Sequence, residues 1–300
     1  MITMTFEELN LAPAILKAVQ EQGYENPTPI QAQAIPLVLA GHDLLAGAQT
    51  GTGKTAAFTL PMLQRLTSGT APKNKFGGKG VRTLVLTPTR ELAAQVEENL
   101  RGYAKYLDIT STVIFGGVGM KPQIARIEKG VDVLVATPGR LLDLAGQGFM
   151  DLSTVEMLIL DEADRMLDMG FIPDVTRIIN LLPKQRQSLL FSATFSDDIK
   201  KLADTMLHNP VLVEVARRNQ VSDTITHRVH PVSEYGKRGL LTKLLKSGEI
   251  RQCIVFMRTK QGCSRLTREL QRAGIKADAI HGDKSQLDRI KALEAFKGGQ

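Results

Sequence analysis

Six short runs that are apolar at nearly every position, 43–48, 82–87, 111–115, 132–137, 155–160 and 188–192, punctuate the first two thirds of the chain. Burial on both faces is the mark of a strand inside a parallel sheet, so each run is read as a buried strand. Each is followed by a stretch of helical period. In 91–106, for example, Leu92, Val96 and Leu100 share one face, while Glu97, Glu98, Arg101 and Lys105 fall elsewhere. Repeated strand and helix units predict an α/β fold whose parallel sheet carries helices on both faces. In such sheets ligands bind outside the carboxyl ends of the strands, so the residues just after each run are where chemistry is expected.

After Asn209-Pro210 an apolar run, 211–215, gives way to polar residues without period. The chain is expected to divide there, into a first lobe 1–215, a linker 216–223 and a second lobe 224–300. The second lobe repeats the alternation, with predicted strands 225–232, 253–257 and 277–280 and predicted helices 237–246, 260–273 and 286–297. The Gly- and Lys-rich stretch 73–80 reads as a flexible surface loop with no function.

Composition narrows the class. At 300 residues, two domains are expected, and 43% hydrophobic, 23% charged and 26 glycines fit a globular α/β enzyme rather than a disordered or fibrous chain. No apolar run approaches the roughly 18 residues of a membrane span and the first eight residues do not resemble a signal peptide, so a cytosolic protein without a membrane partner is expected. Cys253 and Cys263, with no Cys-x-x-Cys or Cys/His cluster, predict neither a disulfide framework nor zinc, and are expected to be buried small hydrophobes. The net charge of +7 is uneven: 22 Lys+Arg against 23 Asp+Glu in 1–218, and 16 against 8 in 219–300. A basic second lobe fits either a polyanion partner or a solvated basic surface.

The first strand runs directly into Gly47-Ala48-Gln49-Thr50-Gly51-Thr52-Gly53-Lys54-Thr55 and then a helix. Glycines let the backbone curl its N–H groups around an anion, and the helix N-terminus adds its dipole. Lys54 can reach the β- and γ-phosphates, and the Thr55 hydroxyl can ligate Mg²⁺. Ala48 stands where the strict pattern wants glycine; a small residue leaves similar room. The fifth strand ends in Asp161-Glu162-Ala163-Asp164. A carboxylate at the tip of an apolar strand needs a cation or a hydrogen-bond donor, which makes Asp161 the candidate on the metal side and Glu162 the group placed to orient or deprotonate an attacking water.

Further motifs stand in order along the chain: Gly23-Tyr24-Glu25-Asn26-Pro27-Thr28-Pro29-Ile30-Gln31 with Phe6 seventeen residues before Gly23, Pro88-Thr89-Arg90-Glu91-Leu92-Ala93, Gly116-Gly117, Thr137-Pro138-Gly139-Arg140 and Ser192-Ala193-Thr194. With this set the chain resembles the DEAD-box RNA helicases, and within them the bacterial RhlE-type group, over essentially its whole length. The resemblance implies two RecA-like P-loop lobes with parallel sheets, ATP and Mg²⁺ as cofactors, and RNA as partner. It assigns Phe6, Tyr24 and Gln31 to the adenine side of the nucleotide. An amide matches the N6 donor and N7 acceptor of adenine, and an aromatic ring offers a stacking face. The residues alone also admit a plainer reading, with Gln31 in the first turn of a helix opened by Thr28-Pro29 and Phe6 in a core. Asn26 stands where many relatives carry a basic residue.

The resemblance further implies a phosphate track for RNA made of Pro88, Thr89, Arg90, Gly116, Gly117, Thr137, Pro138, Gly139 and Arg140. These residues donate to phosphate oxygens without reading bases, so sequence-independent binding is expected. Ser192 and Thr194 are candidates to bond the Asp161–Asp164 carboxylates and tie nucleotide state to lobe orientation; a plain cap for the helix after Ser196 is the other reading. In the second lobe, Phe256-Met257-Arg258-Thr259-Lys260 and His281-Gly282-Asp283-Lys284-Ser285-Gln286 match later elements of the family, making Arg258 and Gly282 candidate RNA contacts. Gln286 and Arg289 are read as local organisers of that lobe.

Family members continue with a strand, an Ala-Arg-Gly segment and a His-Arg-Ile-Gly-Arg segment whose arginines reach the γ-phosphate. None of these occurs in the 300 residues. The chain is therefore expected to be a piece of a longer helicase, its second lobe incomplete and its hydrolysis impaired, because an arginine finger contributes on the order of 10³ to 10⁵ in rate. The activity expected of the parent is RNA-stimulated ATP hydrolysis with local duplex unwinding. The alternatives are an ATP-gated RNA clamp that scaffolds a ribonucleoprotein or RNA-decay assembly, and a DNA-translocating motor.

Overall fold

The computed structural model describes residues 4–215 and 226–299, and it divides the chain into two units, Met1–Arg217 and Arg218–Gln300. The linker expected at 216–223 lies outside the described residues.

In the first unit seven strands form one sheet: β1 (Leu44–Gly47), β2 (Thr83–Leu86), β3 (Ser111–Ile114), β4 (Val133–Ala136), β5 (Met157–Leu160), β6 (Gln187–Ser192) and β7 (Val211–Glu214). Their order is β3-β4-β2-β5-β6-β1-β7, and every neighbouring pair is parallel. Among the described residues nine α-helices accompany them: α1 (Pro13–Glu21), α2 (Pro29–Leu39), α3 (Lys54–Leu66), α4 (Arg90–Tyr103), α5 (Lys121–Lys129), α6 (Pro138–Gly146), α7 (Ala163–Asp168), α8 (Ile172–Leu181) and α9 (Asp197–Met206). The six predicted strands are all present. The run 211–215 supplies the seventh, β7, an edge strand whose burial is too sparse to announce it.

Alternation along the strands creates two cores. Val85, Ile159, Leu189 and Phe191 face α1 to α4, while Leu84, Leu86, Leu158, Leu160 and Leu190 face α5 to α9. Phe58 of α3 meets Phe191 of β6 with ring centroids 5.3 Å apart and a tilted geometry, as aromatic quadrupoles favour.

Three expectations are corrected. Residues 73–80 are not a loose loop. Asn74 is buried: its Oδ1 accepts from the N–H of Phe76 and Gly78, and its Nδ2 donates to the Lys79 carbonyl at 3.0 Å. Lys79 Nζ pairs with Asp132 at 2.8 Å, and Lys79 bridges to Gly130. A side chain bonding its own backbone builds a turn that Gly and Lys content does not reveal.

The second unit contains α10 (Lys237–Lys246), α11 (Lys260–Arg272) and α12 (Gln286–Lys297), matching the three predicted helices. Among its described residues there is no strand, so the sheet expected from 225–232, 253–257 and 277–280 is not formed. A strand bonds to its neighbours rather than to itself, and an apolar run alone does not supply a neighbour. Phe256 is accordingly 90% exposed, and Cys253, expected to be buried, is exposed as well.

Candidate functional site

The strand order sorts the predicted site residues into two groups at the carboxyl ends of the sheet. The phosphate loop follows β1, Asp161–Asp164 follow β5, Ser192 ends β6 with Thr194 just beyond it, and these three strands are adjacent in the order β5-β6-β1. Thr89 and Arg90 follow β2, Gly116 and Gly117 follow β3, and Thr137 to Arg140 follow β4. These strands too are adjacent, in the order β3-β4-β2. The residues predicted for nucleotide and those predicted for RNA thus occupy neighbouring halves of one edge.

In the phosphate loop the chain turns through Gly51 and Gly53, at φ of 81° and 83°, before entering α3. A side chain at Gly53 is barred twice. Its φ is left-handed, and an added Cβ would stand 2.6 Å from Gln31 Nε2. Gln31 Oε1 accepts from the Thr28 N–H at 2.9 Å, and its Nε2 donates to the Gly53 carbonyl at 3.1 Å. Its amide therefore ties the start of α2 to the phosphate loop, with one N–H left over. Phe6 is buried in the core, as the plainer reading had it. Tyr24 is partly exposed and meets Tyr103 hydroxyl to hydroxyl at 3.3 Å.

Lys54, buried, places Nζ 3.0 Å from Asp161 Oδ1 and 3.2 Å from Glu162 Oε1. Asp161 is fully buried, and beyond the Lys54 ion pair its oxygens find no hydrogen-bond donor among the described residues. Burial pushes its carboxyl up from the ordinary range, against the pull of the Lys54 ammonium. Glu162 sits at φ 55°, ψ 53°, a left-handed conformation that a glutamate adopts at a cost, and its second oxygen is 3.3 Å from Arg165 Nη1. Two carboxylates and one lysine are thus held together at the mouth of the phosphate loop. Asp161, with unsatisfied oxygens beside a loop that ends in Thr55, fits a hydrated Mg²⁺ carried by a triphosphate.

Ser192 and Thr194 make local bonds, and the cap of the following helix comes from Ser196 rather than from either of them. Ser192 Oγ donates to the Thr194 carbonyl at 2.7 Å, and Thr194 Oγ1 reaches Asp164 Oδ2 at 3.5 Å, while Ser196 caps α9 through the Ile199 N–H.

On the other half, Thr89 caps α4 by accepting from the Leu92 N–H at 3.2 Å. Pro138 is the first residue of α6, with Thr137 as its N-cap and Gly139 exposed. Arg140 donates through Nη1 and Nη2 to the Val118 carbonyl, each at 3.2 Å. The Arg90 guanidinium lies so close over Gly117 (φ 79°) that a Cβ there would overlap its Nη1. Both arginines of the predicted track therefore converge on the loop after β3. Pro88 is buried. In the second unit Arg258 and Gly282 are found in segments that precede α11 and α12, Arg258 exposed and Gly282 against the Lys260 side chain. Sequence reasoning passed over Gln123 and Arg165; a buried glutamine on the core face of α5, between Met120 and Ile127, was the one available signal.

Comparison with known proteins identifies the family. The DEAD/DEAH box helicase family matches residues 28–202, and the helicase conserved C-terminal domain matches residues 236–300. The ATP-dependent RNA helicase RhlB of Pseudomonas aeruginosa is 41% identical over 98% of this chain and 75% of its own length. The DEAD-box ATP-dependent RNA helicase RhpA of Helicobacter pylori is 40% identical over 98% of this chain, which spans 58% of that relative. Among solved structures, yeast Dbp5 bound to RNA and ADP BeF3 superposes with a TM-score of 0.85 at 33% identity, covering 98% of this chain and 73% of that one. A DEAD box protein from Methanococcus jannaschii gives 0.65 at 38% identity, covering 98% and 77%.

Proposed function

The chain belongs to the DEAD/DEAH box helicase family, and from that premise we propose that it is the ATP- and RNA-binding core of an ATP-dependent RNA helicase that separates short duplexes locally. The observation that carries the reading is the division of one sheet edge into a phosphate-binding half and an adjacent arginine- and glycine-bearing half. Mg²⁺ bound with ATP would be held by Thr55 and, through water, by Asp161, and it would neutralise charge on the transferred phosphoryl group.

Lys54 would leave the two carboxylates for the β- and γ-phosphate oxygens. Its departure frees Glu162 Oε1 to accept a proton from the attacking water as the new bond to γ-phosphorus forms and the bond to the β-phosphate oxygen breaks, releasing ADP and phosphate. Arg165 continues to hold the other Glu162 oxygen. RNA would lie along Thr89, Arg90, Gly116, Gly117 and Thr137 to Arg140, contacted through its phosphates and so without sequence preference. Within the family we place the chain in the RhlE-type group on its motif set, in the cytosol, and within reach of a ribonucleoprotein or RNA-decay assembly.

For the 300-residue chain alone, we infer nucleotide binding with turnover near background, since it carries no Ala-Arg-Gly or His-Arg-Ile-Gly-Arg segment. The test is steady-state ATP turnover and nucleotide binding without nucleic acid, with single-stranded RNA and with DNA of the same sequence. Retained binding, negligible turnover and an affinity for RNA that rises with a non-hydrolysable ATP analogue are expected. Equal responses to DNA and RNA would favour a DNA motor, and vigorous RNA-stimulated turnover would overturn the inference of slow hydrolysis.

A further inference from the structure

Behind the loop that both track arginines touch lies a buried amide. Gln123, in the first turn of α5, is 2% exposed. Its Nε2 donates to the Phe115 carbonyl at 3.1 Å and reaches the Gly119 carbonyl at 3.5 Å, so one side chain joins the two ends of the loop 116–119. Its Oε1 is buried without a donor among the described residues. Two carbonyls around one atom demand a donor there, which fixes the orientation of the amide and explains why a carboxylate would not serve.

The outer face of the same loop sets both arginines. Val118 offers its carbonyl to Nη1 and Nη2 of Arg140, and the bare Cα of Gly117 lets the Arg90 guanidinium lie against the backbone. A guanidinium has five N–H donors; two of those on Arg140 engage Val118, its Nε stands 4.0 Å from Asp143 Oδ2, and the two that remain are held in a fixed direction. An anion arriving there meets a group already oriented, which reduces the ordering cost of binding.

We propose that Gln123 is a positioning residue for RNA: by clamping the loop 116–119 from inside, it aims Arg90 and Arg140 at the phosphate backbone. The inference rests on the proposed RNA track and deepens it. Gln123 touches no RNA itself, and it lies on β3's side of the sheet edge, in the half separate from the nucleotide loop after β1.

The test compares the whole 300-residue chain with Gln123→Met, which keeps the length and removes the donors, and Gln123→Glu, which also sets a carboxylate against two carbonyls. The probe is a fluorescently labelled single-stranded RNA of mixed sequence, titrated at several salt concentrations, with ADP affinity measured in parallel. Gln123→Met is expected to weaken RNA binding about 10-fold and Gln123→Glu more. The slope of log affinity on log salt should flatten by roughly 0.7 for each phosphate that the variant no longer neutralises, while ADP affinity stays within about twofold. A folded variant with unchanged RNA affinity and salt slope would overturn the proposal, as would a parallel loss of ADP affinity, which would mark a general packing role. If Gln123→Met does not fold, Gln123→Glu gives the same readouts. Arg140→Ala separates the two levels: if it leaves RNA binding intact, the track itself fails and the inference with it. If it weakens RNA binding while the Gln123 variants do not, the inference alone fails.

Discussion

The first unit buries the inward side chains of seven strands and nine helices in two cores, whereas in residues 226–299 the buried hydrophobic residues are Leu270, Ala279 and Ala292. Both units alternate apolar runs with amphipathic helices. The difference lies in where each element finds its hydrogen bonds. Helices α10, α11 and α12 satisfy their own backbones and so exist in the second unit. Residues 253–257 have as strong an apolar signal as β5, but parallel strands are stable only as part of a sheet covered on both faces. The largest expected effect follows from this contrast. Phe191→Ala, which empties a fully buried position against Phe58, should cost about 3–5 kcal/mol, while Phe256→Ala, at an exposed position, should stay within about 0.5 kcal/mol. Urea unfolding of the 300-residue chain checks both. A comparable loss at Phe256 would break the comparison by revealing a packed second core.

A smaller effect separates two lysine–aspartate pairs, one in each unit. Lys54 and Asp161 are 3.0 Å apart and buried, whereas Lys260 and Asp283 are 2.8 Å apart and exposed. The buried pair, which we propose serves a nucleotide, strains the fold, since burial raises the Asp161 pKa above its unfolded value. The folded chain then holds that proton more tightly than the unfolded one. The stability this contributes is complete below the unfolded pKa, near roughly pH 4, and is lost as pH rises through the folded value. Asp161→Asn should therefore raise the Tm of the nucleotide-free chain at pH 7, with the gain vanishing below roughly pH 4, while weakening Mg²⁺-nucleotide binding. In Asp283, Lys260 holds the carboxyl below its usual range at the surface, and Asp283→Asn should leave the Tm unchanged. Thermal unfolding across pH reads both variants, and an Asp161→Asn chain less stable at pH 7 would show that Lys54 needs Asp161 more than the core resists it.

Which features were legible in the sequence follows the same line between local and distant partners. β1 to β6 announce themselves because strands buried on both faces are apolar throughout, and the phosphate loop and Asp161-Glu162 because their chemistry is written in consecutive residues. β7 is short and half exposed, so its pairing with β1 could not be read from 211–215 alone. The turn at 73–80 depends on Asn74 bonding back to its own loop, and the expected sheet of the second unit depended on neighbours that apolar runs do not guarantee. In the site, the residues were legible but their partners were not. Gln31 spends its amide on Thr28 and Gly53, Lys54 closes on two carboxylates more than a hundred residues away, and Gln123 acts through carbonyls that carry no sequence signal.

The smallest effect probes whether the two units unfold together, through two serine caps that are alike locally. Ser196 accepts from the Ile199 N–H at 3.3 Å to open α9, and Ser285 accepts from the Asp288 N–H at 3.1 Å to open α12. Alanine at either position leaves one helix N–H without its cap, a loss of about 1 kcal/mol for the helix concerned. The destination of that loss differs. α9 buries Ile199, Leu202 and Met206 in the first unit's core, so Ser196→Ala should lower the main unfolding transition by the full amount. α12 buries only Gln286 and Ala292 among its described residues, so Ser285→Ala should appear as faster amide exchange over 286–289 with the main transition unmoved. Equal shifts of the main transition by the two variants would mean that the second unit, despite its sparse core, melts as part of the same cooperative structure as the first.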